Sequence, residues 1–176
     1  MLVLISGLPG VGKSTLAERL APRLEAVVLS RDWARAEVVV GGPGVRLAEY
    51  VASRLFRRHL RQTQERASRV LEAVVERDIS YGIPVIVEVV ADLEIRRRLE
   101  SLTVRHRIPF FQIECVCPDR SQHLRRLDER TRSGRRTLAR AETSYHSPNP
   151  AVCLVVQTTD PIDEVVASVC AHLDAA

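Results

Sequence analysis

Leu2-Val3-Leu4-Ile5-Ser6-Gly7-Leu8-Pro9-Gly10-Val11-Gly12-Lys13-Ser14-Thr15 is an apolar run, a glycine-studded turn and a lysine-serine pair in that order. The run reads as a strand, and the stretch after Lys13 reads as a helix to about Leu24. Strand, Gly-x-x-x-x-Gly-Lys-Ser loop and helix in succession form the context of a phosphate cradle. Gly7, Gly10 and Gly12 permit backbone conformations and approaches that a Cβ would block, so successive N–H groups, Val11 among them, can converge on phosphate oxygens. The first turn of the helix adds its partial positive charge at the same point. Lys13 is then placed for the β- and γ-phosphates, the Ser14 hydroxyl for Mg²⁺, and Thr15, the next hydroxyl, for the α-phosphate.

Lys13 is also the one lysine of the chain, all other members of its 26 Lys and Arg being arginine. An ammonium is a compact point charge and a guanidinium a rigid planar fork, so in a tight cradle the two are not equivalent. A composition biased toward arginine has kept its single lysine where phosphate chemistry uses one. The same fact removes the Asn-Lys-x-Asp signature of guanine recognition, which needs a second lysine.

At 176 residues the chain is sized for one domain, expected to span 1–176. Aromatics make up only 4%, so the core must rest on Val, Leu, Ile and Ala. No apolar run approaches the roughly 20 residues of a membrane helix, and no basic segment precedes the first strand. The expectation is a cytoplasmic protein that neither spans nor is exported. Cys115, Cys117, Cys153 and Cys170 lie in or beside apolar segments without the paired spacing of a zinc site, and read as reduced, buried thiols. A net charge of +4 suits an anionic ligand, but basic residues alternate with acids along most of the chain, as on a solvated helix face.

Short apolar runs alternate with longer amphipathic stretches, the pattern of a parallel sheet with crossover helices. Strands are expected at about Leu2 to Ser6, Val27 to Ser30, Pro84 to Val90, Phe110 to Cys117 and Val152 to Gln157. Their near-continuous apolar character fits cover on both faces. Helices are expected from Lys13 to Leu24, from near Arg31 to before Gly41, from Val45 to about Asp78, either continuous or broken in the polar stretch Arg57 to Arg69, from Leu93 to His106, from Arg120 to Arg130, and from Ile162 to His172. The last opens on Thr159-Asp160-Pro161, with Pro161 expected at the first helical position. The fold class is α/β: the P-loop NTPase fold, a five-stranded parallel sheet flanked by helices.

In an open parallel sheet the site lies beyond the carboxyl ends of the strands, so Asp32, just after the second strand, should face the γ-phosphate. A carboxylate there can take or position the proton of an attacking hydroxyl, and it can also cap the helix that follows; the roles are compatible. Arg35, one turn on, can clamp an acceptor, and Trp33 either stacks on an acceptor ring or simply packs. Glu88, at the end of the third strand, either serves Mg²⁺ or pairs with a buried arginine. The stretch Arg120 to Arg140 is rich in arginine, whose forks match the charge of a transferring phosphoryl group. Arg126 and Arg130 share one helix face. Tyr145 and His146 precede the last strand and are weaker candidates for contact with nucleotide or acceptor.

Three segments, the P-loop, Arg31-Asp32-x-x-Arg35 and Arg126-x-x-x-Arg130, resemble the P-loop kinase family that includes the 5′-hydroxyl polynucleotide kinases and the small antibiotic kinases of the chloramphenicol phosphotransferase kind. The resemblance implies transfer from ATP to a hydroxyl with Mg²⁺, Asp32 as base, and an arginine lid at about 120–140 with Arg126 and Arg130 as its pair. Members of that family commonly carry Asp at the strand end where this chain has Glu88, followed by Val89 and Val90. The expected activity is an ATP-dependent phosphotransfer to a small-molecule hydroxyl, nucleoside or antibiotic-like. A 5′-hydroxyl polynucleotide kinase is the second reading, and a nucleotide-binding regulatory protein without acceptor the third. The sequence singles out no oligomeric state and no membrane partner.

Overall fold

In a computed structural model, the described residues are 1–31, 34, 53–90, 93–130, 138, 141–143, 145–148 and 150–175, with the side chains of 53–63, 130 and 150 left aside. Their elements run β1 (Leu2–Ser6), α1 (Lys13–Leu24), β2 (Val27–Ser30), α2 (Ser53–Ser80), β3 (Val85–Val89), α3 (Leu93–His106), β4 (Phe110–Val116), α4 (Arg120–Arg130), a short 3₁₀ turn (Pro150–Val152), β5 (Leu154–Gln157) and α5 (Ile162–Asp174). The five strands form one sheet in the order β2-β3-β1-β4-β5, and every pairing is parallel. The expected α/β sheet is therefore the one observed.

Alternation along the strands divides the core in two. Leu2 and Leu4 face α2 and α3 and pack with Ala67, Leu71, Val75, Ile79, Leu99 and Leu102. Val3 and Ile5 face the other way, toward Leu16 and Leu20 of α1 and Val166 and Val169 of α5. All of β1 is buried, whereas the edge strands are half-covered, with Val27 39% and Val155 46% exposed. After β1 the chain crosses to one side of the sheet through α1, and after β3 it crosses over β1 to the other side. This reversal opens a crevice at the carboxyl end of β1, where the glycine loop begins.

One open expectation is decided and three are corrected. The long helix is continuous across its polar stretch, because Arg, Gln and Glu hold a helical backbone well without an apolar face at every turn. It also ends at Ser80 rather than Asp78, and residues 45–52 lie outside the description. Pro161 is the cap of α5 rather than its first helical residue: its φ of −54° and ψ of 130° are not helical, its carbonyl accepts from Glu164 and Val165, and no side chain caps this end. β3, β4 and β5 begin or end one or two residues inside the expected bounds, since the flanking Pro84, Cys117 and Val152 lie outside the ladders.

Candidate active site

The loop after β1 is shaped by its glycines. Gly7 has φ +147°, and a Cβ there would lie 2.5 Å from the carbonyl oxygen of Cys115 on β4, so only glycine lets the chain leave the sheet at this point. Gly10, at φ +82°, would bring a Cβ within 2.8 Å of two Leu127 carbons on α4. Gly12 is the cap of α1, so Lys13, Ser14 and Thr15 form the helix's first turn, whose N–H groups are directed out of the helix end.

Lys13 is buried, 7% exposed, and its Nζ donates to the Leu8 carbonyl at 2.9 Å, which folds the ammonium back over its own loop. The Ser14 hydroxyl donates to Glu88 Oε1 at 2.7 Å. That contact joins the start of α1 to the end of β3, where Glu88 stands beside Ile5 of β1 in register. Glu88 therefore stands beside the hydroxyl that the sequence offers to Mg²⁺, and its contact there is with Ser14. Two oxygen ligands suit Mg²⁺, which keeps several waters and leans on substrate phosphates; among the described residues no larger cluster of ligating side chains occurs.

On the other flank, α4 brings Arg126 to the loop that follows β5. Arg126 donates to Thr158 Oγ1 at 3.2 Å and to the Thr158 carbonyl at 2.9 Å, while the Thr158 N–H and hydroxyl both donate to the Val116 carbonyl of β4. Arg126, Thr158 and Asp160 line a cavity of about 500 Å³ together with Gly10, Gly12, Ser14 and Thr15. That cavity brings Arg126, one of the expected lid pair, to the phosphate loop. The side chain of Arg130, and Asp32, Trp33 and Arg35, lie outside the described residues, as does the expected lid tip from Thr131 to Arg135. Arg31, the last described residue before Asp32, donates to the Val90 carbonyl at 3.1 Å and so ties the end of β2 to the strand that carries Glu88.

Two participants escaped the sequence reading. His123, 7% exposed on α4, reaches the Pro9 carbonyl through Nε2 at 2.7 Å; its spacing of three and four from Arg126 and Leu127 was the available signal. Glu114, 6% exposed at the end of β4, accepts hydrogen bonds from the Tyr145 hydroxyl and, at 2.7 Å, from Ser147. A carboxylate inside an apolar strand was the signal there. Tyr145 thus turns to a buried carboxylate, and burial, followed by that contact, raises its pKa above the ordinary tyrosine value. The His146 carbonyl accepts from Arg96 at 3.0 Å. All four cysteines are free thiols, two of them buried; burial pushes Cys115 up to about 12 and Cys153 up to about 11, so both are neutral near pH 7.

Comparison with known proteins agrees with this fold. Solved structures with the same fold include a Chloroflexus aurantiacus protein named for an inferred kinase activity, at TM-score 0.72 and 25% identity over 99% of this chain and 96% of that one. A sugar kinase from Janibacter sp. follows at TM-score 0.70 and 15% identity over 99% and 95%. Kti12 from Chaetomium thermophilum, solved in complex with ADP-AlF3, aligns at TM-score 0.65 and 18% identity over 96% and 97%. A search of curated proteins found no match. Among the described residues no helix is long and apolar enough to cross a membrane. The family model described as "AAA domain" matches residues 2–146, from β1 through α4 to the segment that meets Glu114, and the chain belongs to that family.

Proposed function

We propose that the chain is an ATP-dependent kinase that moves the γ-phosphate to a hydroxyl of a small molecule, nucleoside or antibiotic-like. The observation that carries this reading is Lys13 folded over its own loop and Ser14 joined to Glu88 at the loop's helix terminus, with Ser14 and Arg126 lining one cavity. Lys13, already inside the loop, exchanges the Leu8 carbonyl for phosphate oxygens of the nucleotide. The N–H groups of Gly10 to Thr15 hold the phosphates and stabilise charge there with little reorganisation. Ser14 and Glu88 would hold Mg²⁺, which supplies charge neutralisation on the phosphates. Arg126 is directed at the nucleotide by Thr158 and offers a planar fork to phosphate oxygens. Asp32 follows a residue tethered beside β3, which supports its role in taking the acceptor's proton; Arg130 completes the pair on α4, and Trp33 and Arg35 bind the acceptor.

A screen with γ-labelled ATP over nucleosides, sugars, aminoglycosides and 5′-hydroxyl oligonucleotides tests the reading. Labelled small-molecule product is expected, and Asp32→Asn should retain ATP affinity while losing about 10²–10⁴-fold in transfer. Labelling of oligonucleotides alone, weakening steeply as salt rises, would assign the acceptor to nucleic acid instead. ATP binding with no labelled product in any class would make the chain a nucleotide-binding regulator.

A further inference from the structure

The loop contains a second, tighter turn. Val11 N–H points back to the Leu8 carbonyl at 3.4 Å, with Pro9 and Gly10 between them and Gly10 at φ +82°. Proline first and a positive-φ glycine second is the type II pattern, and type I differs from it by reversal of the central peptide plane. That plane carries two polar groups, the Pro9 carbonyl and the Gly10 N–H. In a planar trans peptide they point in opposite directions, so whatever fixes one fixes the other.

His123 Nε2 sits 2.7 Å from the Pro9 carbonyl in a buried setting. A carbonyl can only accept, so Nε2 carries the hydrogen whether the ring is neutral or charged. The contact holds the carbonyl toward α4 and turns the Gly10 N–H away from it. Leu127, one helical turn on, packs where a Gly10 Cβ would be, which keeps α4 in register with the turn. We propose that His123 is a positioning residue for phosphate binding: it selects the type II turn and so presents the Gly10 N–H to a nucleotide phosphate. The proposal rests on the reading of this loop as a nucleotide site.

The test compares His123→Gln, whose amide nitrogen reaches about as far as Nε2, with His123→Asn, which stops about one bond short. Binding of Mg·ADP and of adenosine is measured for each. Gln should stay within about threefold of the unaltered protein for Mg·ADP, and Asn should weaken it about tenfold, as one lost hydrogen bond does. Adenosine, which has no phosphate, should bind all three alike. Equal Mg·ADP affinity of the two variants, or a parallel loss of adenosine, would overturn the proposal. If the Asn variant does not fold, the Gly10 amide resonance of the unaltered protein decides: it must shift on addition of Mg·ADP, and an unmoved resonance overturns the role. Failure of the unaltered protein to bind Mg·ADP would instead defeat the proposed function itself.

Discussion

The phosphate loop is held on its β3 side by one kind of contact and on its α4 side by another. Toward β3, Ser14 meets Glu88 hydroxyl to carboxylate, and the partners are chemical groups with a task at a phosphate site. Toward α4, His123 meets a backbone carbonyl and Leu127 fills the space a Gly10 side chain would need. In the proposed function the first contact would present ligands, and the second would set the shape of the backbone that presents N–H groups. Changes on the β3 side should therefore act on chemistry and leave the fold, while changes on the α4 side should act on stability and on affinity for phosphate.

The largest effect is expected on the β3 side. Ser14→Ala and Glu88→Ala should each lower kcat about 10²–10³-fold with the unfolding midpoint nearly unmoved, read by steady-state kinetics and denaturant titration on the same samples. A comparable loss of stability would erase the contrast between the two flanks. Next, Gly10→Ala should destabilise the fold by about 2–4 kcal/mol, from a left-handed backbone forced on alanine together with overlap on Leu127. Adding Leu127→Ala should recover the overlap and leave the backbone strain, so a double-mutant cycle separates the two.

These flanks were unequally legible. Lys13 and Ser14 announce themselves by spacing, because side-chain chemistry at a phosphate has few substitutes, and the strands around them declare themselves by apolar runs that must be covered on both faces. Glu88 was visible as a carboxylate at a strand end, but its partner Ser14 lies 74 residues away and is brought to it only by the packing of α1 beside β3. His123 gave almost no signal, since a contact to a carbonyl asks nothing of the residue that supplies the carbonyl. Glu114 stood out as a carboxylate inside an apolar strand, but its partners Tyr145 and Ser147 are more than thirty residues away in sequence. Asp32, Trp33 and Arg35 remain expectations from the sequence and from the resemblance it carries.

Smaller effects test whether α4 acts through the loop alone. Arg126→Lys keeps the charge but cannot span both Thr158 oxygens, and should weaken Mg·ATP about three- to tenfold. Tyr145→Phe should cost about 1–2 kcal/mol in stability by taking one donor from buried Glu114, with nucleotide affinity unchanged. The two buried thiols give a pH test. Their folded pKa values lie above the ordinary 9.0, so the neutral thiols favour folding below pH 9, and this contribution is lost as pH rises through about 11 for Cys153 and about 12 for Cys115. With one lysine and three tyrosines the chain has few other groups titrating there, and Cys153→Ala should visibly flatten the fall in stability between pH 9 and 11.

The central claim is that Lys13 is a lysine because it binds phosphate. Lys13→Arg preserves charge and conforms to the composition of the rest of the chain, so titration of the variant with Mg·ATP isolates the shape of the cation from its sign. The account predicts affinity about 10–100-fold below that of the unaltered protein, the worth of a charge-assisted hydrogen bond lost from a tight cradle. Unchanged affinity for Mg·ATP would contradict it.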